Sequence, residues 1–158
     1  MVRKLGVPWI TKDGYFDFSQ FPIDSVLKQA LSSENSEFMG ACSVLSSMYR
    51  AGRPEAAVYL FGLIVQNYSN MSRKEIIMKY IEGVKTKECA DILFKELNDI
   101  KSNNTTRSYI NSILNVLMAF PLSIIRDGFE ALLNDTKWSS IMRRRFEDII
   151  LEKDSFTV

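Results

Sequence analysis

Apolar residues recur at spacings of three and four along most of the chain, and this periodicity restricts the possible folds more than any other feature. For example, Phe38, Cys42, Leu45 and Tyr49 follow one another at intervals of four, three and four residues. This spacing places the four side chains on one face of an α-helix. Eight such segments follow one another, so the sequence predicts an all-α fold. The predicted helices are 24–32, 36–50, 54–68, 72 to about 84, 86–101, 105–119, 121–134 and 137–151.

Residues that commonly begin or end helices lie at many of these boundaries. Asp24 is a suitable N-cap, Pro54 suits a first helical position, and Ser72 with Glu75 forms a capping-box pattern. Almost every residue in 56–65 is apolar, which predicts a central helix that is buried on all sides. Because the predicted loops are short, we expect neighbouring helices to be antiparallel.

The first 22 residues have a different pattern. The stretch WITKDGYFDF places aromatic residues on both sides of Asp13-Gly14, a pattern typical of a β-hairpin turn. An isolated hairpin has little stability of its own. We therefore expect its aromatic side chains to pack on the helices, or the segment to act as an arm that pairs with another chain. The predicted organisation is an arm over 1–22, a helical-repeat domain over 23–152 and a tail over 153–158.

The predicted helices also repeat in pairs. Successive pairs begin near Pro54, Thr86 and Pro121, which lie 32 and 35 residues apart. This spacing resembles that of the stacked helical hairpins in HEAT/armadillo α-solenoids, and the resemblance covers residues 24–151. It implies about eight short antiparallel helices stacked as HEAT-like hairpins. The alternative is a compact, non-repeating helical bundle, as is common among small subunits of larger assemblies.

The composition excludes several kinds of catalytic and metal site. The chain contains no histidine, which excludes Ser-His-Asp and Cys-His catalysis and every histidine-based metal site. Cys42 and Cys89 are too few for a structural zinc site, and no glycine-rich phosphate loop is present. Carboxylate pairs such as Glu34 and Glu37 are explained by their position at a helix start. We therefore expect a protein that is not an enzyme and that uses no cofactor or metal.

Charge and hydropathy bear on partners and location. The net charge is +1, from 20 basic and 19 acidic residues, and this balance favours neither nucleic acid nor an anionic membrane as partner. The longest apolar run is 56–65, whereas a membrane-spanning helix needs about 20 apolar residues. The N-terminal sequence has no apolar stretch typical of a secretory signal. We therefore expect a cytoplasmic protein.

One predicted helix surface lacks the charged residues that usually cover solvated helices. Arg107, Asn111 and Asn115 are spaced four apart, so they form one row along the sixth helix, beside a row of serines. Residues 100–126 contain no acidic side chain. Asn and Ser are poorer helix formers than Glu or Lys by up to about 0.5 kcal/mol each. The row is a neutral solvated face, or its amides bond to the next helical pair. The alternative is a recognition surface whose amides bind a peptide backbone or a carboxylate.

Three consecutive arginines on the eighth helix form a second polar patch: Arg143, Arg144 and Arg145. The first two each precede a carboxylate by four residues, which predicts ion pairs along a surface helix. In HEAT-type stacks the second helix of each pair lines the concave side. This arrangement would place the sixth and eighth helices on one face, and the arginines would then form a positive groove with Arg107.

These patterns predict a non-catalytic adaptor or scaffold that binds a partner protein, such as one with an acidic peptide, along the face formed by alternate helices. One alternative is a nucleic-acid-binding helical-repeat protein, supported by the acid-free segment and the arginine cluster. Another is a structural subunit of a larger assembly that forms homo-oligomers through the N-terminal arm. The predicted partner-binding residues are Arg107, Asn111, Asn115, Arg143, Arg144 and Arg145.

Overall fold

A computed structural model describes residues 8–156. In this part of the chain there are eight α-helices and no β-strand, which confirms the predicted all-α fold. The chain divides at Gly83 and Val84 into two compact units, each with four helices. The helices are α1 (Ile23–Ala30), α2 (Asn35–Arg50), α3 (Glu55–Gln66), α4 (Met71–Ile81), α5 (Lys87–Asp99), α6 (Arg107–Met118), α7 (Leu122–Leu133) and α8 (Ser140–Ser155).

In the first unit α2 is the central helix. It contacts α1, α3 and α4, and it carries Phe38, Leu45 and Met48, all fully buried. The prediction that α3 is buried on all sides is wrong, since Val58 and Val65 are 64% and 70% exposed. The reason is that α3 packs only its other face, against α2 and α4.

Arg73 on α4 fixes the loop between α1 and α2. Its Nη2 donates to the carbonyl oxygens of Ser32 and Ser33, each at 2.9 Å, and its Nε donates to Asn35 Oδ1 at 3.1 Å. The guanidinium also lies 4.6 Å from the ring centroid of Phe38. One side chain thereby satisfies two loop carbonyls and stacks on the core.

Aromatic rings of the N-terminal segment pack on one another, and Arg53 ties the segment to the first unit. Gly14 has φ of +85°, and an antiparallel bridge joins Ile10 to Phe16, so the chain turns where the sequence predicts. Arg53 Nη1 donates to the carbonyl oxygen of Phe21, a bond that ties the segment to the start of α3. Residues 1–7 of the predicted arm, and 157–158 of the predicted tail, lie outside the described residues; the three-part division of the chain stays a prediction.

Several helix ends differ from the predicted ones because other side chains act as caps. Helix α4 is capped by Asn70, whose Oδ1 accepts from the Arg73 amide at 3.1 Å, and not by the predicted Ser72. Helix α8 is capped by Ser139, whose Oγ accepts from the Met142 amide at 3.2 Å. Asn and Ser are both strong N-caps, so each helix begins directly after the side chain that can cap it.

In the second unit α5 contacts α6 and α7, and α7 contacts α8. A chain of aromatic rings forms much of its core. Ring centroids of Phe94 and Phe129 lie 5.1 Å apart, those of Phe129 and Phe146 5.9 Å, and those of Trp138 and Phe146 5.3 Å. Lys137 Nζ donates to the carbonyl oxygens of Leu97, Asn98 and Ile100, and so caps the C-terminal end of α5.

No helix within residues 8–156 combines the length and the apolar character that crossing a membrane requires.

Each unit buries one cysteine thiol, Cys42 in the first and Cys89 in the second. Burial raises the pKa of both thiols to about 12. Since the thiolate is the reactive form, we expect neither cysteine to react with Ellman's reagent at about pH 8 in the folded protein, and both to react after denaturation. Counting the released chromophore before and after adding guanidinium measures this. Rapid reaction of either thiol without denaturant would contradict the burial.

Candidate functional site

A cleft of about 500 Å³ lies in the second unit between the N-terminal turns of α6 and α8. Three segments line it: the loop that precedes α6, the first turns of α6, and the start of α8. We call it the α6–α8 cleft. Its volume is within the range of about 300–1,000 Å³ that ligand-binding pockets have. The lining residues are Ser102, Asn103, Asn104, Arg107, Ile110, Asn111, Ser139, Ile141, Met142 and Arg145.

Local hydrogen bonds fix the loop that precedes α6. Asn103 Oδ1 accepts from the amides of Thr105 and Thr106 at 2.9 and 3.2 Å. The hydroxyl of Thr106, which is buried, donates to the carbonyl oxygen of Lys101 at 2.6 Å. Such side-chain bonds to nearby backbone hold a turn in one conformation. This wall of the cleft is therefore ordered before any ligand binds.

A hydrogen bond joins two of the lining residues that come from different helices. Arg145 Nη1 on α8 donates to Asn111 Oδ1 on α6 at 2.6 Å, and both residues are half-buried. Arg107 lies one turn before Asn111 on α6 and bonds Asn104 Oδ1 through Nη2 at 3.3 Å. The structure thus brings three of the predicted binding residues together: Arg107, Asn111 and Arg145.

The cleft is positively charged. Its ten lining residues include two arginines and no acidic residue. The first turns of α6 and α8 carry no acidic side chain, so the partial positive charge of both helix N-termini is not compensated there. Neither Arg107 nor Arg145 forms an ion pair with any part of the chain that the structure describes. Arg53 and Arg126, by contrast, pair with Glu55 and Asp154 at 2.8 and 2.5 Å.

The other predicted binding residues lie outside the lining of the cleft. Asn115 is exposed one turn beyond Asn111 on α6, and Arg144 is exposed on α8. Arg143 is half-buried, and its Nε is buried with no hydrogen-bond partner in the described chain. The structure therefore does not place these three residues in the lining of the cleft.

The predicted ion pairs along α8 are wrong. Among the described residues, no ion pair joins Arg143 to Glu147 or Arg144 to Asp148. An exposed pair of this kind contributes only about 0.3–0.5 kcal/mol, which is too little to hold long side chains in one geometry. Ile141 lies at helical spacing from the apolar residues of α8, which predicts an inward side chain, but it is 79% exposed at the cleft; the buried residues of α8 are Phe146, Ile149 and Ile150.

Sequence reasoning missed the loop and the capping residue of the cleft. Two local signals point to them: an Asn two residues before a Thr, typical of an Asx turn at Asn103, and a Ser three residues before Met142, typical of a helix start at Ser139.

In residues 8–156 there is no group of three or more His, Cys, Asp or Glu side chains that could hold a metal ion.

In comparisons with known proteins, no family model, no curated protein and no solved structure matches this chain. The eight helices are compatible with a helical-repeat fold.

Proposed function

We propose that this protein is a non-catalytic, cytoplasmic adaptor that binds a partner protein at the α6–α8 cleft. The observation that carries the proposal is the bond between Arg145 and Asn111, which gathers predicted binding residues from two helices around one cleft. Arginine is enriched among the residues that dominate protein interfaces. Asparagine offers both donors and acceptors, which suit a peptide backbone.

The cleft offers a partner both polar and apolar contacts. Arg145 is held in place by Asn111, so less conformational freedom is lost when a partner binds. The exposed Ile141 and the neighbouring Met142 offer an apolar contact beside the two arginines. An apolar contact surrounded by polar groups is the usual composition of a protein-binding site.

We further propose that the helices form a HEAT-like stack. In the second unit α5 packs on α6 and α7, and α7 packs on α8. Two stacked helical hairpins would give these contacts, with α6 and α8 as the second helices of their pairs. The position of the cleft between α6 and α8 agrees with the concave binding face of such a stack.

Charge reversal at Arg145 tests the binding site. We expect Arg145→Glu to weaken binding of a partner isolated with the wild-type protein at least about tenfold, since a buried charged contact at an interface is worth about 2 kcal/mol or more. Arg50→Glu makes the same change of charge at the exposed end of α2, outside the cleft, and should leave the affinity within about twofold. Calorimetric titration of the purified partner measures both. Equal losses for the two variants would remove the cleft from the proposal.

Nucleic acid is the second candidate partner, because the cleft carries two arginines and no acidic residue. The salt dependence of binding separates the two candidates. A nucleic-acid complex releases counterions, so its affinity should fall steeply between low and moderate salt. A protein partner that also contacts Ile141 and Met142 should show a shallow dependence.

A further inference from the structure

We infer that the α6–α8 cleft selects a partner segment with clustered aspartate or glutamate carboxylates. This inference rests on the proposed function and names the chemistry of the partner at that site. The occupant is thus an acidic peptide segment of another protein, and not a nucleic acid or a free phosphate.

Charge complementarity is the first argument. The lining contains two guanidinium groups and no carboxylate, and neither guanidinium is neutralised by an ion pair within residues 8–156. A positively charged partner is repelled by this arrangement, whereas a carboxylate gains charge-assisted hydrogen bonds. The two uncompensated helix N-termini add partial positive charge of the same sign.

The geometry of Arg145 is the second argument. A guanidinium carries five N–H donors in one plane. In Arg145 one nitrogen, Nη1, donates to Asn111 Oδ1, and the structure gives the other donors no acceptor among the described residues. The bond to Asn111 therefore holds the guanidinium at one nitrogen and leaves further N–H groups that can bind a planar carboxylate in a two-point contact.

The start of α8 favours a carboxylate over a phosphate. Phosphate sites at helix N-termini use free backbone N–H groups. At the start of α8 a side chain already occupies one such group, since Ser139 Oγ accepts from the Met142 amide, whereas no side chain caps the start of α6. On the α8 side of the cleft, the Arg145 guanidinium therefore offers donors to an anion that the Met142 amide does not.

The extent of the positive surface argues against nucleic acid. A nucleic-acid backbone is bound by many cationic contacts along a strand. The cleft supplies two arginines in a volume of about 500 Å³, on a chain whose net charge is +1. That surface suits a few carboxylates of one peptide segment better than a run of phosphates.

The test uses the full chain, labelled with nitrogen-15, and capped synthetic peptides. One heptapeptide alternates glycine with three glutamates, and its control has glutamines at the same places. In two-dimensional NMR titrations we expect the glutamate peptide to shift the amide signals of Arg107, Asn111 and Met142, with an affinity at least about fivefold higher than that of the glutamine peptide. Arg145→Gln should abolish the preference, while Arg50→Gln, which removes an equal charge outside the cleft, should retain it.

Each remaining outcome overturns the inference in a recognisable way. Equal shifts with both peptides would show that the cleft binds peptide without selecting charge, which leaves the proposed function intact. Inorganic phosphate that binds the same amides as tightly as the glutamate peptide would overturn the choice of carboxylate. Tighter binding of a single-stranded oligonucleotide there would favour nucleic acid.

No shift with any probe would count against this inference, and the charge-reversal experiment on the isolated partner would then decide the proposed function separately. The amide spectrum of each variant reports whether it is folded.

Discussion

Replacing Gly128 with alanine is expected to destabilise the second unit by about 1–3 kcal/mol. Gly128 lies within α7, and a Cβ atom built there would approach three carbon atoms of the Phe94 ring more closely than 3.0 Å. The ring cannot simply move aside, since it packs edge-on against Phe129, which contacts Phe146 in turn. The added methyl group therefore forces the aromatic core of this unit to repack.

Gly62 provides a matched control, because it also lies within a helix, α3, and nothing approaches its Cβ position within 4 Å. Gly62→Ala should therefore stabilise the protein by about 0.5–1 kcal/mol, the difference in helix propensity between the two residues. Urea denaturation followed by circular dichroism gives both free energies of unfolding. A Gly128→Ala protein as stable as Gly62→Ala would show that Phe94 yields without cost.

Thiol reactivity localises the effect of Gly128→Ala. Cys89 is buried in the second unit and Cys42 in the first. The substitution should increase the labelling rate of Cys89 more than that of Cys42, as mass spectrometry of the two separate peptides can measure. This comparison distinguishes strain near Phe94 from a general loss of stability.

The helical fold was predictable because its cause is local. A spacing of three and four between apolar residues acts within each helix, and it predicts every helix in residues 8–156. Which faces of a helix become buried is not decided locally, because it depends on the positions of other helices. The apolar residues of α3 indicate a helix, but only the positions of α2 and α4 decide that Val58 and Val65 remain exposed.

The candidate site was predictable in part, for the same reason. Arg107 and Asn111 lie in one row at helical spacing, so the sequence shows that they share a face. The partner of Asn111 is Arg145, which lies 34 residues further along the chain. Periodicity within a helix carries no information about such a contact. For this reason the arginine cluster was visible in the sequence, but the choice of Arg145 over Arg143 and Arg144 required the fold.

We expect Arg73→Met to destabilise the first unit by about 2 kcal/mol. Methionine keeps most of the aliphatic packing of the side chain but removes every N–H donor. The carbonyl oxygens of Ser32 and Ser33 and the amide oxygen of Asn35 then lose a charged donor, and the Phe38 ring loses the cation above it. Exposure of part of this network to water keeps the loss below the sum of the separate bonds.

Lys79→Met on the same helix is the matched control, since Lys79 is exposed and forms no ion pair or side-chain hydrogen bond in the described structure. It should change the free energy of unfolding by less than about 0.5 kcal/mol. Because Cys42 lies in the unit that Arg73 stabilises, we expect Arg73→Met to raise the labelling rate of Cys42 about 30-fold, the factor that corresponds to 2 kcal/mol, with a smaller rise at Cys89. If the two variants label Cys42 at equal rates, the hydrogen bonds of Arg73 do not hold the α1–α2 loop in solution, and the packing of its aliphatic stem accounts for its place in the fold.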